Sequence, residues 1–120
     1  MRMNSCITVY KNYDQEKDNE KQVTIVGRRW FERYNGNTYH SAFVYVSTEL
    51  YAQVNFAYGY GSQYEQTGLE ILQEIGYYKI TGEHFSNGYS KDFDQLITDI
   101  RSGKILSVVS DVKRKKDLIS

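Results

Sequence analysis

The sequence lacks most of the features that narrow a protein's function quickly. It has no proline, a single cysteine, and 15 basic residues balanced by 15 acidic ones. Because the formal net charge is zero, no overall field draws the chain to nucleic acid or to an anionic membrane, so a charged partner must meet a local patch. No apolar run approaches the roughly 18 residues that span a bilayer, and the opening MRMNSCITVY lacks the apolar stretch of a signal peptide. We therefore expect no membrane partner.

Cysteine and histidine are too scarce to build a familiar chemical site. Cys6 has no partner for an internal disulfide, which favours a cytoplasmic protein, and its strand-like setting SCITVY predicts a buried apolar role. His40 and His84 are the only histidines, and Glu83 beside His84 points away from it on a strand, so we predict no metal site. No nucleophile is identifiable as a partner for His40. We predict no catalytic residues, no cofactor and no enzymatic activity.

The order of the segments predicts one α+β domain over residues 1–120. The stretches Ser5–Tyr10 and Gln22–Tyr60 are strand-like, and hairpin turns are predicted at Asn35-Gly36 and Thr48-Glu49. Helices are predicted after Ser62 and Ser90, and a last strand in KILSVVSDV. We expect an antiparallel sheet of four to five strands, covered on one face by two helices. The charged segment 11–21 is predicted to be a mobile loop, and residues 113–120 a disordered basic tail.

Two-residue turns at both hairpins would set the register and the faces of the sheet. Trp30 would lie opposite Ser41, and His40 opposite Phe31. The core face would then carry Trp30, Tyr34, Tyr39, Phe43, Tyr45, Leu50, Ala52, Val54 and Phe56. The opposite face would carry Arg29, Phe31, Arg33, Thr38, His40, Val44, Tyr51, Gln53 and Asn55. Its mixture of cations, amides and rings has no evident structural need, so we interpret it as a binding face. Arg29, Arg33, His40 and Tyr51 are its predicted anchors, because Arg and Tyr dominate binding hot spots.

The segment YGYGSQYEQTG, residues 58–68, predicts the hinge between the last hairpin strand and the first helix. Gly59 or Gly61 should adopt a conformation that is costly for a residue with a Cβ. Ser62 and Glu65 have the spacing of a capping box. One of Tyr58 and Tyr60 should point into the core and the other to the surface. The alternative is that the amides of Ser62 and Gln63 hold an anion, although the lysine of a P-loop is absent.

Three segments together resemble a group of small uncharacterised proteins encoded by bacteriophages and mobile elements. They are RRWF at 28–31, GNTYHS at 36–41 and YGYGSQY at 58–64. The resemblance covers about residues 28–76 and implies a phage context in a host cytoplasm. By analogy, it implies a non-enzymatic anti-defence inhibitor, similar to an anti-CRISPR, that occludes a host defence protein or ribonucleoprotein.

Two further possibilities stay open. The protein could be a nucleotide-signal sponge or a nucleic-acid-binding module, using Tyr60 to stack a base and Ser62 and Gln63 to hold phosphate. An uncovered edge strand could also pair two copies into a homodimer.

Overall fold

The structure is a computed structural model that describes residues 6–119. The elements in chain order are β1 (Ile7–Val9), α1 (Gln15–Asp18), β2 (Val23–Glu32), β3 (Asn37–Val46), β4 (Glu49–Tyr58), α2 (Gln63–Glu74), α3 (Lys91–Ser102), β5 (Ile105–Val112) and a 3-10 helix (Lys115–Leu118). The α+β prediction is confirmed. Residues 1–5, which include the start of the predicted strand Ser5–Tyr10, and Ser120 lie outside the described residues.

The five strands form one mixed sheet in the order β1-β4-β3-β2-β5. The neighbouring pairs are antiparallel except β2 and β5, which run parallel over eight residue pairs from Val23↔Ile105 to Trp30↔Val112. The expectation of a wholly antiparallel sheet is therefore wrong for this one pairing. Between β4 and β5 the chain passes through α2 and α3, and such a long crossover allows it to re-enter the sheet parallel to β2.

Both predicted hairpin turns occur, but the first loop is longer than the predicted Asn35-Gly36 and the second is shifted by one residue from Thr48-Glu49. Glu32 pairs with Asn37, so the first loop has four residues, and the Gly36 amide donates to the Glu32 carbonyl at 3.0 Å. The Glu32 carboxylate also accepts the Asn35 amide at 3.1 Å, which favours this longer loop. Trp30 consequently lies opposite Tyr39, and Arg29 opposite His40.

The second loop is formed by Ser47 and Thr48, because Val46 pairs with Glu49. Ser47 has a φ of 57°, the positive value that such a tight turn requires. Between this turn and the end of the hairpin, the register of β3 and β4 shifts near Val44/Tyr45 and again near His40/Ala42. Two irregularities of this kind cannot be read from alternation alone, since each one changes which residues face each other.

The helices cover the face that we had predicted to be open. A Cβ on Gly27 in β2 would lie 2.4 Å from Tyr64 Cδ2 in α2, and a Cβ on Gly68 would lie 2.9 Å from Ile25 Cδ1. These two glycines let α2 approach the sheet on the side of Ile25, Ala42 and Val44. The fully buried core side chains on this side include Ile25, Val44, Tyr51, Ile71, Leu72, Leu96 and Ile105.

The assignment of the two faces was therefore wrong for most of the rings. Tyr39 and Phe56 stack on each other on the face opposite the helices, and alternation places Trp30, Phe43 and Tyr45 on that same face. Ala52 and Val54 lie in the core as predicted. The physical reason is volume, because close helix packing needs glycine and small or branched side chains rather than large rings.

Three terminal features also differ from prediction. Segment 11–21 contains α1, and Asp18 within it is buried, accepting the Tyr51 hydroxyl at 2.9 Å. Part of the basic tail is ordered against the sheet, where Ser41 Oγ donates to the Leu118 carbonyl at 2.6 Å and Leu118 is buried. Cys6 is exposed rather than buried, because it precedes a short strand at the sheet edge.

Candidate functional site

Arg29, a predicted binding anchor, is fixed beside the hinge by an ion pair and a hydrogen bond within the protein. Its Nε donates to the Asp111 carboxylate at 2.8 Å and its Nη1 donates to the Gly61 carbonyl at 2.9 Å. The side chain is only 27% exposed. The guanidinium thus ties β2 to β5 and to the chain that enters α2, which leaves little of it to meet a partner.

His40 is also structural, and it lies completely buried under α2. Its Nδ1 is 3.1 Å from the Gly59 carbonyl, which can only accept, so Nδ1 carries the proton. Its Nε2 then accepts the Thr67 hydroxyl at 2.7 Å. Burial holds the pKa of His40 below its ordinary value, although the bond to Gly59 opposes this. A neutral imidazole therefore joins β3 to the hinge and to α2.

Tyr51 is a core residue and not a surface anchor. Its ring is fully buried, with the ammonium of Lys11 5.3 Å from the ring centroid. Burial, reinforced by the hydrogen bond to the Asp18 carboxylate, raises the pKa of Tyr51 to about 12. The Asp14 amide donates to Asp18, and this bond is the largest cause that lowers the pKa of Asp18. The pair anchors α1 to the sheet.

The hinge prediction is confirmed in its main features. β4 ends at Tyr58, α2 begins at Gln63, and both Gly59 (φ 142°) and Gly61 (φ 64°) have positive φ. The capping box is wrong, since the Ser62 side chain caps nothing, and Glu65 instead accepts Ser107 Oγ at 2.7 Å.

The alternative interpretation of the hinge, an anion held by the amides of Ser62 and Gln63, is only partly compatible with the hydrogen bonds there. The Gln63 amide donates to the Tyr60 carbonyl at 3.1 Å, so one of the two amides assigned to an anion is already bonded. Gln53, the remaining predicted binding residue, lies on the face opposite the helices and accepts the Tyr10 hydroxyl at 3.1 Å.

The expectation that one hinge tyrosine enters the core is wrong, because both are exposed. Tyr58 is 59% exposed and Tyr60 is 76% exposed. They join other rings at one end of the strands, where β2 and β4 end, β3 begins and the first hairpin loop lies. We call this surface the aromatic end, and its rings are Trp30, Phe31, Tyr34, Tyr39, Phe56, Tyr58 and Tyr60.

The rings of the aromatic end fall into two groups. On the face opposite the helices, Trp30 stacks on Tyr39 with centroids 5.9 Å apart, and Tyr39 stacks on Phe56 at 4.6 Å. The Lys115 ammonium lies 4.9 Å from the Phe56 centroid, so a cation continues the stack. On the helix side, exposed Phe31 and Tyr60 line a cleft of about 320 Å³ whose wall includes Arg29 and Asp111.

Basic side chains are concentrated around these rings. The seven cations of this region are Arg28, Arg29, Arg33, Lys113, Arg114, Lys115 and Lys116, whereas its acids are Glu32, Asp111 and Asp117. Two of these acids are already paired, Asp111 with Arg29 and Asp117 with Arg114. The aromatic end is thus locally cationic in a chain without net charge.

A second cleft, of about 370 Å³, lies where the helices meet α1. Tyr13, Tyr77 and Tyr78 line it together with Asp99 and Lys104. The Tyr78 hydroxyl donates to the buried Asp99 carboxylate, and burial raises the pKa of Tyr77 to about 12. The rings of Tyr13 and Tyr77 pack edge to face with their centroids 4.7 Å apart, and Tyr77 packs in the same way on Tyr78, so the rings that line this cleft pack mainly against one another.

Residues 6–119 contain neither a metal-binding cluster nor a membrane-spanning helix. No three His, Cys, Asp or Glu side chains converge there to hold a metal ion. None of the helices in that range has the length and apolar character that crossing a bilayer requires. Comparison of the chain with protein-family models, with curated proteins and with solved structures found no match. The phage resemblance therefore stays a prediction.

Sequence reasoning missed the aromatic end because it treated large rings as core residues. Two signals pointed to it. The rings cluster at the two sides of the first hairpin and at the hinge, and the basic run KRKK follows directly after β5. Only the parallel pairing of β5 with β2 brings that basic run beside the rings.

Proposed function

We propose that the protein is a non-enzymatic binding protein whose aromatic end binds single-stranded nucleic acid, either free or within a ribonucleoprotein. One observation carries the proposal, namely that exposed rings and an excess of cations share one end of a chain with no net charge. Single-stranded nucleic acid combines unpaired bases, which stack on aromatic faces, with a phosphate backbone that attracts Lys and Arg.

The cleft on the helix side and the cations beside it suit one base and its flanking phosphates. The cleft between Phe31 and Tyr60 offers flat apolar walls beside the Arg29 guanidinium, a setting suited to one base. Stacking of this kind contributes about 1–3 kcal/mol per base. Arg33, directly after β2, and Lys113, directly after β5, are both exposed and can meet phosphates that flank that base.

The anti-defence inhibitor remains our wider hypothesis, but we now assign its contact surface to the aromatic end instead of the predicted sheet face. Arg29, His40 and Tyr51 are committed to internal bonds, which leaves Arg33 as the exposed member of the original anchors. An inhibitor that occludes a ribonucleoprotein would use the aromatic end to contact the RNA strand. In the alternative hypothesis, a nucleotide-signal sponge, the nucleotide would bind in the Phe31–Tyr60 cleft alone.

The direct test is fluorescence anisotropy of labelled oligouridine and oligothymidine of about 12 nucleotides, a length within the range of single-strand binding sites. We expect saturable binding that weakens as salt rises from about 50 to about 200 mM, because bound phosphates release counterions. Absence of binding to either oligonucleotide at low salt contradicts the proposal. Salt-insensitive capture of a protein would instead assign the surface to a protein partner.

Matched variants locate the contact. Tyr60→Ala and Phe31→Ala should weaken binding about tenfold each, as expected for the loss of one stacked base, whereas Tyr89→Ala should not, although Tyr89 is also an exposed tyrosine. Replacing both Lys113 and Lys116 with Gln should flatten the salt dependence, and the same change at the exposed Lys17 and Lys79 should not. Equal effects of test and control variants would contradict the assignment.

A further inference from the structure

The outer edge of β5 is long, regular and uncovered. β5 pairs with β2 through eight successive residues without a bulge, and it is the last strand of the sheet on its side. Within the part of the chain described, no strand lies on its other side, and no backbone hydrogen bond joins it to another element beyond β2. The outward amides and carbonyls of β5 are therefore available to another strand.

Proteins usually protect such an edge, and β5 lacks the usual devices. The six residues Ile105–Ser110 include no charge and no proline, and Leu106 (48%), Val108 (51%) and Val109 (37%) are exposed on the two faces of the strand. The opposite edge of the sheet differs, because β1 has only three residues. A long apolar edge without charges favours strand pairing with another chain.

We propose that the partner is a second copy of this chain, with the two β5 strands paired antiparallel about a twofold axis at Val108 or Val109. In a continuous sheet, directly opposed residues share a face, so the axis must pass through a residue position. With Val108 on the axis, Leu106 of one copy lies opposite Ser110 of the other, and Ser107 opposite Val109. The result is a ten-stranded sheet with the helices of both copies on one side.

Self-pairing is favoured over an unrelated strand because a twofold axis at Val108 sets the uncharged run of one copy against the uncharged run of the other. With the axis at Val108, Asp111 of one copy lies opposite Ile105 of the other, and Lys104 lies opposite Val112. This axis places no like charges opposite each other, whereas an axis at Val109 would bring Lys104 opposite Arg114 just beyond the strand ends. The twofold arrangement closes, which covers both edges and leaves the short β1 strands at the two outer sides.

The first experiment is sedimentation equilibrium of the full chain over a range of micromolar concentrations. We expect a species of twice the 14.1 kDa chain mass. Replacing both Leu106 and Val108 with Lys should return the protein to the monomer mass. The matched control is Ile80→Lys, another exposed apolar residue, which should leave the dimer intact. A monomer at every concentration, or an open-ended series of larger species, would overturn the proposal.

A second measurement keeps the proposal testable if the double lysine variant does not fold. In a Cys6→Ser background, Val108→Cys or Val109→Cys should form an intermolecular disulfide under mild oxidation, because the residue on the axis faces its own copy. A cysteine at Val9 on the other edge serves as the control and should cross-link much more slowly. If neither β5 cysteine cross-links faster than the Val9 cysteine, the strands do not pair.

Discussion

The two surfaces of this sheet use side chains of different size, and the difference explains where function is expected. Under the helices, the strands present Ile25, Ala42 and Val44, with Gly27 touching α2. At the aromatic end, rings stack on each other and remain partly exposed to solvent. A stable core needs the first arrangement, whereas nothing in the packing of the helices needs the second. The large exposed rings are therefore the basis of the binding surface that we propose.

The largest contrast should come from removing bulk on each surface. Ile71→Ala removes a fully buried side chain from the core and should lower the free energy of unfolding by about 2–5 kcal/mol. Tyr60→Ala should change it by less than about 0.5 kcal/mol, because the ring is exposed. Urea denaturation of both variants measures the difference, and equal losses would mean that Tyr60 belongs to the packed structure.

The hinge glycines should differ from each other in a defined order. At Gly59 a Cβ would lie 2.3 Å from Gln63 Cγ and the φ is 142°, whereas at Gly61 the φ is 64° and no atom lies within 4 Å. Gly59→Ala should therefore cost about 1–3 kcal/mol, from crowding together with backbone strain. Gly61→Ala should cost about 1 kcal/mol, from backbone strain alone. Thermal melts that place Gly61→Ala below Gly59→Ala would contradict this account of the hinge.

Arg29 and Arg33 make a third matched pair, one clamped and one exposed. Arg29→Ala removes bonds to the Asp111 carboxylate and the Gly61 carbonyl, and should lower stability by about 1–2 kcal/mol, since the site is partly exposed. Arg33→Ala should leave the melt unchanged within about 0.5 kcal/mol and weaken nucleic-acid binding. An unchanged melting temperature for Arg29→Ala would contradict the structural role that we assign to Arg29.

The buried imidazole of His40 should make the stability of the fold depend on pH. Because burial lowers the pKa of His40 in the folded state, the unfolded chain binds the extra proton more readily below its own pKa near 6.5. Stability should therefore fall as the pH drops below about 6.5, by at most about 1.4 kcal/mol for each pH unit. His40→Gln should flatten the melting temperature between about pH 7 and pH 5 relative to the wild type. Parallel profiles for the two proteins would contradict this.

Much of the fold followed from local patterns, and the errors have identifiable causes. The hinge, both helices and the last strand were predicted because glycine positions and the 3.6-residue period of apolar residues are local signals. The faces were not, because the choice of side depends on Gly27 meeting Tyr64, a contact between distant segments. In the same way, the burial of Asp18 depends on Tyr51, which lies 33 residues further along the chain.

The sequence predicted which types of residue the candidate site contains, but not where in the fold they lie. The signal was arginine beside aromatic residues near the first hairpin, and Arg33 and Tyr60 lie exposed at the aromatic end. His40 and Tyr51 were chosen as polar groups on an open face, yet each finds an internal partner in Thr67 or Asp18. A polar group in a strand shows its role only when its partner is known.

The most direct measurement of the central claim is a titration of the ¹⁵N-labelled protein with oligouridine, followed in two-dimensional amide NMR spectra. We predict that chemical shifts move at residues 29–34, 56–62 and 111–117, which together form the aromatic end and its basic flank. Amides of α3 and of the Tyr77–Tyr78 cleft should stay in place. Shifts confined to α3 or to that cleft, or no shifts at saturating oligonucleotide, would contradict the account.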